Sequence, residues 1–299
     1  MVFDSKNHTQ LGAGINLKPQ HYNDALDVLD PVLLERLWFE VHTENYFVAG
    51  GPRLSYLQAI AEKYPLSFHG VGGSLGSFTK EPYALTQSHL TQVVELVKRF
   101  NPILVSEHAT WSTSHDTYFA DLLPLPRTQV ALSNLCDGID RYQNAIGRSI
   151  LVENPTNYLH FVADMDEADF LMEAIKRTGA GLLLDVNNLY LSARNTGIDP
   201  ITYLNALDPE RVGEIHIAGF DTDKNFPDAL LIDSHGAPVD DAVWQLLDTT
   251  LKMLGSKPVL LERDDNIPSF QNLLTERNQA QHLIQQYESL EKIALGVTS

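Results

Sequence analysis

The sequence predicts a (β/α)8 TIM barrel of the α/β class, and three observations carry that expectation. Eight short apolar runs recur along the 299 residues, amphipathic segments of helical period separate them, and several runs are apolar at consecutive positions. Runs such as Ile150-Leu-Val152 and Leu182-Leu-Leu184 need burial on both faces, as in a parallel sheet covered by helices. Such a barrel takes about 250 residues as one domain. No composition break or Ser/Gly-rich linker divides the chain, so a single domain over residues 1–299 is expected. A doubly wound open sheet is the alternative.

The expected strands are 11–17, 37–44, 66–71, 103–109, 149–153, 181–186, 212–218 and 258–263. Helices are expected around 31–36 and over 54–63, 83–99, 128–144, 167–178, 240–254 and 270–290. Two connections are longer than the fold requires, 110–126 after the fourth strand and 220–239 after the seventh. Both fall at the C-terminal face, where barrels build active sites. Long ordered loops there tend to be lids or substrate walls.

Composition narrows the function classes. Lys and Arg number 21 against 39 Asp and Glu, a formal net charge of −18. That excess repels phosphate backbones, so nucleic acid is not an expected partner. Most of the acid is a solvated surface, although some carboxylates are in a position to hold cations. Cys136 is the sole cysteine, so neither an intramolecular disulfide nor a thiolate metal cluster can form. The first residues lack the basic and apolar regions of a signal peptide, and no apolar run reaches membrane-spanning length. A cytoplasmic protein with no membrane partner is expected.

The chemistry concentrates where strands end. The third ends in His69, the fourth in Glu107-His108, the fifth in Glu153-Asn-Pro and the sixth in Asp185-Val-Asn-Asn188. The seventh carries His216, the loop after it Asp233-Ser-His235, and the eighth ends in Glu262-Arg-Asp264. Singly, each has an ordinary explanation: a hydrogen-bonded core histidine, a helix cap for Glu153, a turn for Asp185. Together, in a closed barrel, they converge on one axial basin. Several carboxylates buried side by side repel one another unless cations lie between them, and divalent metal relieves that repulsion while using the imidazoles. The set contains no sulfur, which suits Zn, Mn or Fe.

Other candidates rank lower. His42 lies between Glu40 and Glu44 on one face of the second strand, as support or filler. Glu107 should point away from its neighbour His108. His21, His89, His115 and His160 have no partners at useful spacing. The loop Gly72-Gly-Ser-Leu-Gly76 could cradle a phosphate or a carboxylate but lacks the lysine of a P-loop.

Read together, several segments resemble the multinuclear non-haem iron-dependent oxidases, in their bacterial branch long described as uncharacterised. They are Gly12-Ala-Gly-Ile-Asn16, Phe39-Glu-Val-His-Thr-Glu-Asn-Tyr46, His69-Gly-Val-Gly-Gly-Ser-Leu-Gly76, Ser106-Glu-His108, Glu153-Asn-Pro-Thr-Asn157, Leu184-Asp-Val-Asn-Asn188, Glu214-Ile-His-Ile-Ala-Gly219, Asp233-Ser-His235 and Leu261-Glu-Arg-Asp264. They span nearly the whole chain. The resemblance implies a barrel related to xylose isomerase and endonuclease IV. It implies a central iron on Glu153, Asp185, His216 and Glu262, with Glu153 bridging to a second iron on His69 and His108. A third metal would take Asp233, His235 and Asn188, with Asn187 the competing candidate. Endonuclease IV has a histidine where Asn188 stands.

The implied activity is oxidation of cysteine residues in a ribosomally made precursor peptide by O2 and two to three mixed-valent irons, Fe(II) and Fe(III). The products are heterocycles such as a thiooxazole or an oxazolone–thioamide. Glu153, Asp185 and His216 are its expected catalytic residues, and a separate partner protein presents the peptide. Zn or Mn could fill the sites of the isolated protein. The competing reading is a Zn- or Mn-dependent hydrolase, or an endonuclease-IV-like phosphodiesterase. A sugar isomerase, for which no strand-end lysine stands out, and a non-enzymatic metal or peptide carrier complete the alternatives.

Overall fold

The computed structural model describes residues 2–4, 11–28, 34–77, 84–115, 117–161, 163–227, 229–294 and 296. Among them, eight parallel strands close into a barrel. In chain order these are β1 (Ala13–Asn16), β2 (Phe39–His42), β3 (Leu66–Gly70), β4 (Leu104–His108), β7 (Leu151–Glu153), β8 (Gly181–Asp185), β9 (Val212–Ala218) and β12 (Val259–Glu262). Pairing of β1 with both β2 and β12 closes the sheet. Two antiparallel hairpins are added at the strands' C-terminal ends, β5 (Trp111–Ser114) with β6 (Thr117–Leu123) and β10 (Asp221–Thr222) with β11 (Leu231–Ile232). The expected barrel is the one found, and the open sheet is not.

Strand alternation sorts the side chains into two cores. Residues such as Ile15, Phe39, Val105, Ile215 and Leu261 pack outward beneath the helices. A smaller cluster of Phe3, Leu11, Trp38, Leu104, Leu151, Leu183 and Leu260 packs separately. The positions two further along several of those same strands are Glu40, Ser106, Glu153, Asp185 and Glu262, all buried. Along one barrel axis, then, packing changes from hydrocarbon to carboxylate.

The helices are α1 (Tyr22–Asp27), α2 (Pro52–Ala61), α3 (Ala84–Phe100), α4 (Gln129–Ile146), α5 (Glu167–Thr178), α6 (Val186–Thr196), α7 (Pro200–Asn205), α8 (Asp241–Leu254) and α9 (Phe270–Ala294). Thr128 caps α4, Asp240 caps α8, and glycines in the left-handed region end α4, α5 and α6. The last helix is tied to the first strand from inside: buried Arg277 donates to the Ala13 and Glu35 carbonyls, and Gln281 accepts from Ala13 N. Leaving either backbone group unpaired in that position would cost about 1–3 kcal/mol.

Beyond the added hairpins, the sequence expectation differs from the structure at several element bounds. Of the helix expected around 31–36, residues 31–33 lie outside the described residues and Leu34, Glu35 and Arg36 form a turn; the helix there is the short α1. Tyr83, expected to open α3, also lies outside them. The sixth strand stops at Asp185, and Val186 already belongs to α6. Asn187 and Asn188 are weak helix formers, but an Asp185 cap and the burial of Leu189 and Leu191 override propensity.

Gly138, in the middle of α4, touches the loop that leaves β3: a Cβ there would overlap the Leu75 carbonyl oxygen. Helix propensity alone favours Gly138→Ala by about 1 kcal/mol. The contact predicts the opposite sign, a loss of about 1–3 kcal/mol. Chemical denaturation of the variant decides between them.

Candidate metal centre

Six strand ends and one loop deliver the predicted residues to one basin. His69, His108, Glu153, Asn188, Asp233, His235 and Glu262 line a cavity of about 250 Å3. Asp185 and His216 lie immediately beneath it, fully buried. A larger cavity, about 590 Å3, opens among Leu11, Arg36, Val212 and Pro258, but it brings together no comparable set of ligating atoms. Chemistry decides here, not volume.

Glu153 is the hub. Its Oε2 lies 3.2 Å from both His69 Nε2 and His108 Nε2. These three groups offer ligand atoms close enough to hold one ion, and Glu153, Asp185 and His216 form a second such group. Glu262 joins them, with Oε2 3.4 Å from His216 Nδ1 and 3.4 Å from His235 Nδ1. Asp233 Oδ1 stands 2.8 Å from His235 Nε2. Thr156 Oγ1 links Asp233 Oδ2, at 3.2 Å, to Asn188 Oδ1, at 2.5 Å.

Each imidazole is held by its other nitrogen. His108 Nδ1–H donates to the Gly70 carbonyl at 3.0 Å, and a carbonyl only accepts, so Nε2 is the nitrogen that faces the basin. His69 Nδ1 meets Ser106 Oγ at 2.8 Å. His216 Nε2 points down to Glu214 at 3.4 Å, leaving Nδ1 upward, and His235 Nδ1 donates to Asp264 Oδ2 at 3.0 Å. Asp264 in turn takes Lys18 and Asn16. Carbonyl and carboxylate partners of this kind orient metal-ligating histidines and raise their basicity.

The atoms left over fit a cation. Glu153 Oε2, Asp185 Oδ2, His216 Nδ1 and His235 Nε2 are buried with no hydrogen-bond partner among the described residues. Asp185 spends its other oxygen on the α6 cap, accepting from Asn188 N at 2.6 Å. Four buried polar atoms aimed at one space would cost several kcal/mol without a ligand. Oxygen and imidazole donors suit a divalent transition metal.

Without metal the cluster compensates itself with protons. Burial raises Glu153 to about 7 despite nearby His108 and His216, and burial with the Glu153 charge raises Asp185 well above the carboxylate range. Burial opposes a charge on His108, but Glu153 and Glu107 outweigh it and push the imidazole up to about 10. His216 and His235 are likewise held high against burial, by Glu40 and Glu262 and by Asp233 and Glu262. Burial and the neighbouring imidazoles hold His69 well below its usual range. Burial and Glu40 lift Glu214 to about 8.

Several contributors lie outside the predicted set. Asn187, the competitor of Asn188, donates to Asp233 Oδ1 at 2.9 Å, and its own Oδ1 is buried without a partner among the described residues. Only Asn188 of the two lines the cavity. His42 sits 4.0 Å from both Glu262 and Asp264, on the inner face with Glu40. Glu44 has left that face. It joins His89 at 2.7 Å, so His89 has the partner its sequence position did not suggest. Glu44 also accepts from Val71 N and Gly72 N, and Glu107 accepts from Gly73 N through Oε2. Expected to point away from His108, the Glu107 carboxylate instead curls back, with Oε1 accepting from His108 N and lying 3.6 Å from His108 Nδ1. The glycine-rich loop therefore cradles carboxylates, and they are the protein's own. A Cβ at Gly73 would collide with Glu107. Lys18 is the strand-end lysine that the sequence did not reveal.

The chain matches, over residues 12–285, the model of a family described as RiPP precursor modification enzyme MbnB/TglH/ChrH. A UPF0276 protein of Caulobacter sp. (strain K31) is 50% identical over 273 residues, 91% of this chain and 96% of that one. Among solved structures, the IOLI protein with a binding zinc atom superposes with a TM-score of 0.60 at 14% identity, covering 93% of this chain and 99% of that one. Endonuclease IV from Thermus thermophilus gives 0.55 at 14% identity over 93% and 99%. At such identities the structures speak for the fold.

The protonated imidazoles set a sign. A metal ion must expel protons held by His108, His216 and His235, so its apparent affinity is expected to rise from about pH 6 to pH 9, by about tenfold per unit for each proton lost. Calorimetric titration in buffers of different protonation enthalpy counts those protons. Affinity independent of pH over that range would contradict the assignment.

Proposed function

The chain belongs to the MbnB/TglH/ChrH family of RiPP precursor modification enzymes, and from that premise we propose that it is a multinuclear iron- and O2-dependent oxidase of peptidyl cysteine. The observation that carries the reading is Glu153, equidistant from two imidazoles at 3.2 Å and facing Asp185 and His216 on its other side. A buried carboxylate so placed suits a bridge between two ions. His69, His108 and Glu153 would hold one, Glu153, Asp185, His216 and Glu262 a second, and Asn188, Asp233 and His235 a third. Metal bound there supplies the Lewis acidity to hold a thiolate and the electrons to reduce O2.

The chain's own residues do the rest. Asp121, Leu122, Pro155 and Tyr158 wall the basin, limit water and leave room for one side chain with its adjoining backbone. Tyr158 Oη receives the Asp233 backbone N–H at 3.1 Å and so ties the loop after β7 to the one bearing the outer ligands. The His235–Asp264–Lys18 chain keeps the His235 proton on Nδ1, and Glu214 keeps the His216 proton on Nε2. The substrate is a cysteine-containing precursor peptide, brought by a separate presenting protein in the cytoplasm. Among the described residues no helix is long and apolar enough to cross a membrane.

Two measurements test this reading. Protein purified without oxygen is expected to carry iron and to oxidise a cysteine peptide only with O2, read as mass loss. Zinc alone, with no activity restored by Fe(II), would contradict this reading, and cleavage of abasic DNA without O2 would establish the hydrolase instead. His235→Ala is expected to lose the outer metal and keep the central pair, read by metal stoichiometry. Loss of all metal together would contradict the division into sites.

A further inference from the structure

Among the described residues, every exposed Phe or Tyr lies on the segments that leave the C-terminal ends of β4, β7 and β9, the same ends that bear the metal basin. Tyr118 and Phe119 come from β6, Tyr158 and Phe161 from the loop after β7, and Phe226 from the β10–β11 hairpin. Leu159 is 68% and Phe226 63% exposed. Scattered apolar side chains need no explanation, but aromatic ones gathered at one mouth mark a contact surface. The basin itself, about 250 Å3, is smaller than the roughly 300–1,000 Å3 of ordinary ligand pockets. A chain that inserts one residue there must lay its neighbours across the rim.

Charge says what those neighbours are. Asp121 and Asp233 line the opening, Asp221 and Asp265 lie beside Gly236 on the adjoining loop, and Asp223 follows on the hairpin; against them stand Lys18, engaged by Asp264, and the exposed Lys224. A metal-loaded floor would be positive and would favour an anionic group such as a thiolate, whereas the acidic rim favours cations. Building on the oxidase reading, we propose that the rim of Tyr118, Phe119, Tyr158 and Phe226 with its aspartates is a docking surface for an extended peptide segment. That segment carries apolar and basic side chains on either side of the reacting residue.

The test uses the full-length, metal-loaded protein and short fluorescent peptides in which serine stands at the reacting position, so that neither oxidation nor thiolate ligation contributes. One peptide has Lys and Leu flanks, one Glu and Leu, one Lys and Ser. The Lys/Leu peptide is expected to bind about tenfold more tightly than either of the others, and to lose that advantage over the Glu/Leu peptide in high salt. Tyr118→Ser with Phe119→Ser, both on the surface, is expected to weaken it about tenfold at unchanged metal content. Equal binding of the three peptides overturns the proposal. So does concentration-dependent self-association that the same double variant abolishes while peptides fail to bind, which would assign the rim to a second copy of the chain. Selective binding with no oxidation of the matching cysteine peptide leaves the rim assignment standing and removes the oxidase reading. Oxidation of differently flanked peptides at equal rates, without selective binding, does the reverse.

Discussion

The structure depends on one electrostatic constraint: carboxylates and imidazoles are forced together at the closed end of a barrel, out of water. Glu153, Asp185, His216 and Glu262 are each at most 2% exposed. Isolated charges at such depth would be prohibitively costly, and like charges side by side more so. Each carboxyl answers that cost differently: burial drives Glu153 and Asp185 upward, while Glu262 is held well below its usual range against burial by His216 and His235. Protons balance the cluster only partly, since Glu153 Oε2, Asp185 Oδ2, His216 Nδ1 and His235 Nε2 are left without a hydrogen bond among the described residues. A divalent cation would balance the remainder, which is why the site reads as a candidate metal centre before any relative is considered.

The barrel offsets this cost elsewhere. The inner cluster from Phe3 to Leu260 fills the barrel with hydrocarbon, and the outer cluster seals the strands beneath the helices. Between hydrocarbon and ligands lie Glu40, Ser67, Ser106 and Glu214, all fully buried, whose work is to hold the side chains above them. Ser106 takes His69, Glu214 takes His216, and Ser67 donates to Glu40 at 2.9 Å. Stability and chemistry are thus separated along one axis, and the polar layer between them fixes which nitrogen His69 and His216 present.

What the sequence revealed follows from this layering. A strand buried on both faces reads as an apolar run, so a polar residue at its tip stands out, and His69, His108, Glu153, Asp185, His216 and Glu262 were legible for that reason. Glu214 was not, because inside the run Glu214-Ile-His216 it looks like one more alternating position. Glu44, His89 and Glu107 meet only once β2, β4 and α3 are packed, and no spacing in the chain records it. The β5–β6 hairpin escaped notice because its second strand is exposed throughout most of its length and has no buried face to impose a period. Helix α6 escaped because its start is written in asparagines and its stability in tertiary burial.

The proposed outer pair differs in kind from the strand-borne candidates. Asp233 and His235 sit on a loop, and His235 adopts φ +49°, a left-handed conformation uncommon for a residue with a side chain. The loop is nevertheless fixed on several sides. The His235 carbonyl accepts from Asp264 N at 2.9 Å, its ring donates to the Asp264 carboxylate, and Asn266 Nδ2 reaches the Gly236 carbonyl at 3.2 Å. Backbone strain of this kind persists only where the surroundings over-determine it. Here the surroundings are the end of β12, the strand that also supplies Glu262. The outer site is therefore positioned from the central one: Glu262 stands between His216 and His235, and the residues that follow it hold the loop in place. The loop is held in place because its anchor lies in the barrel.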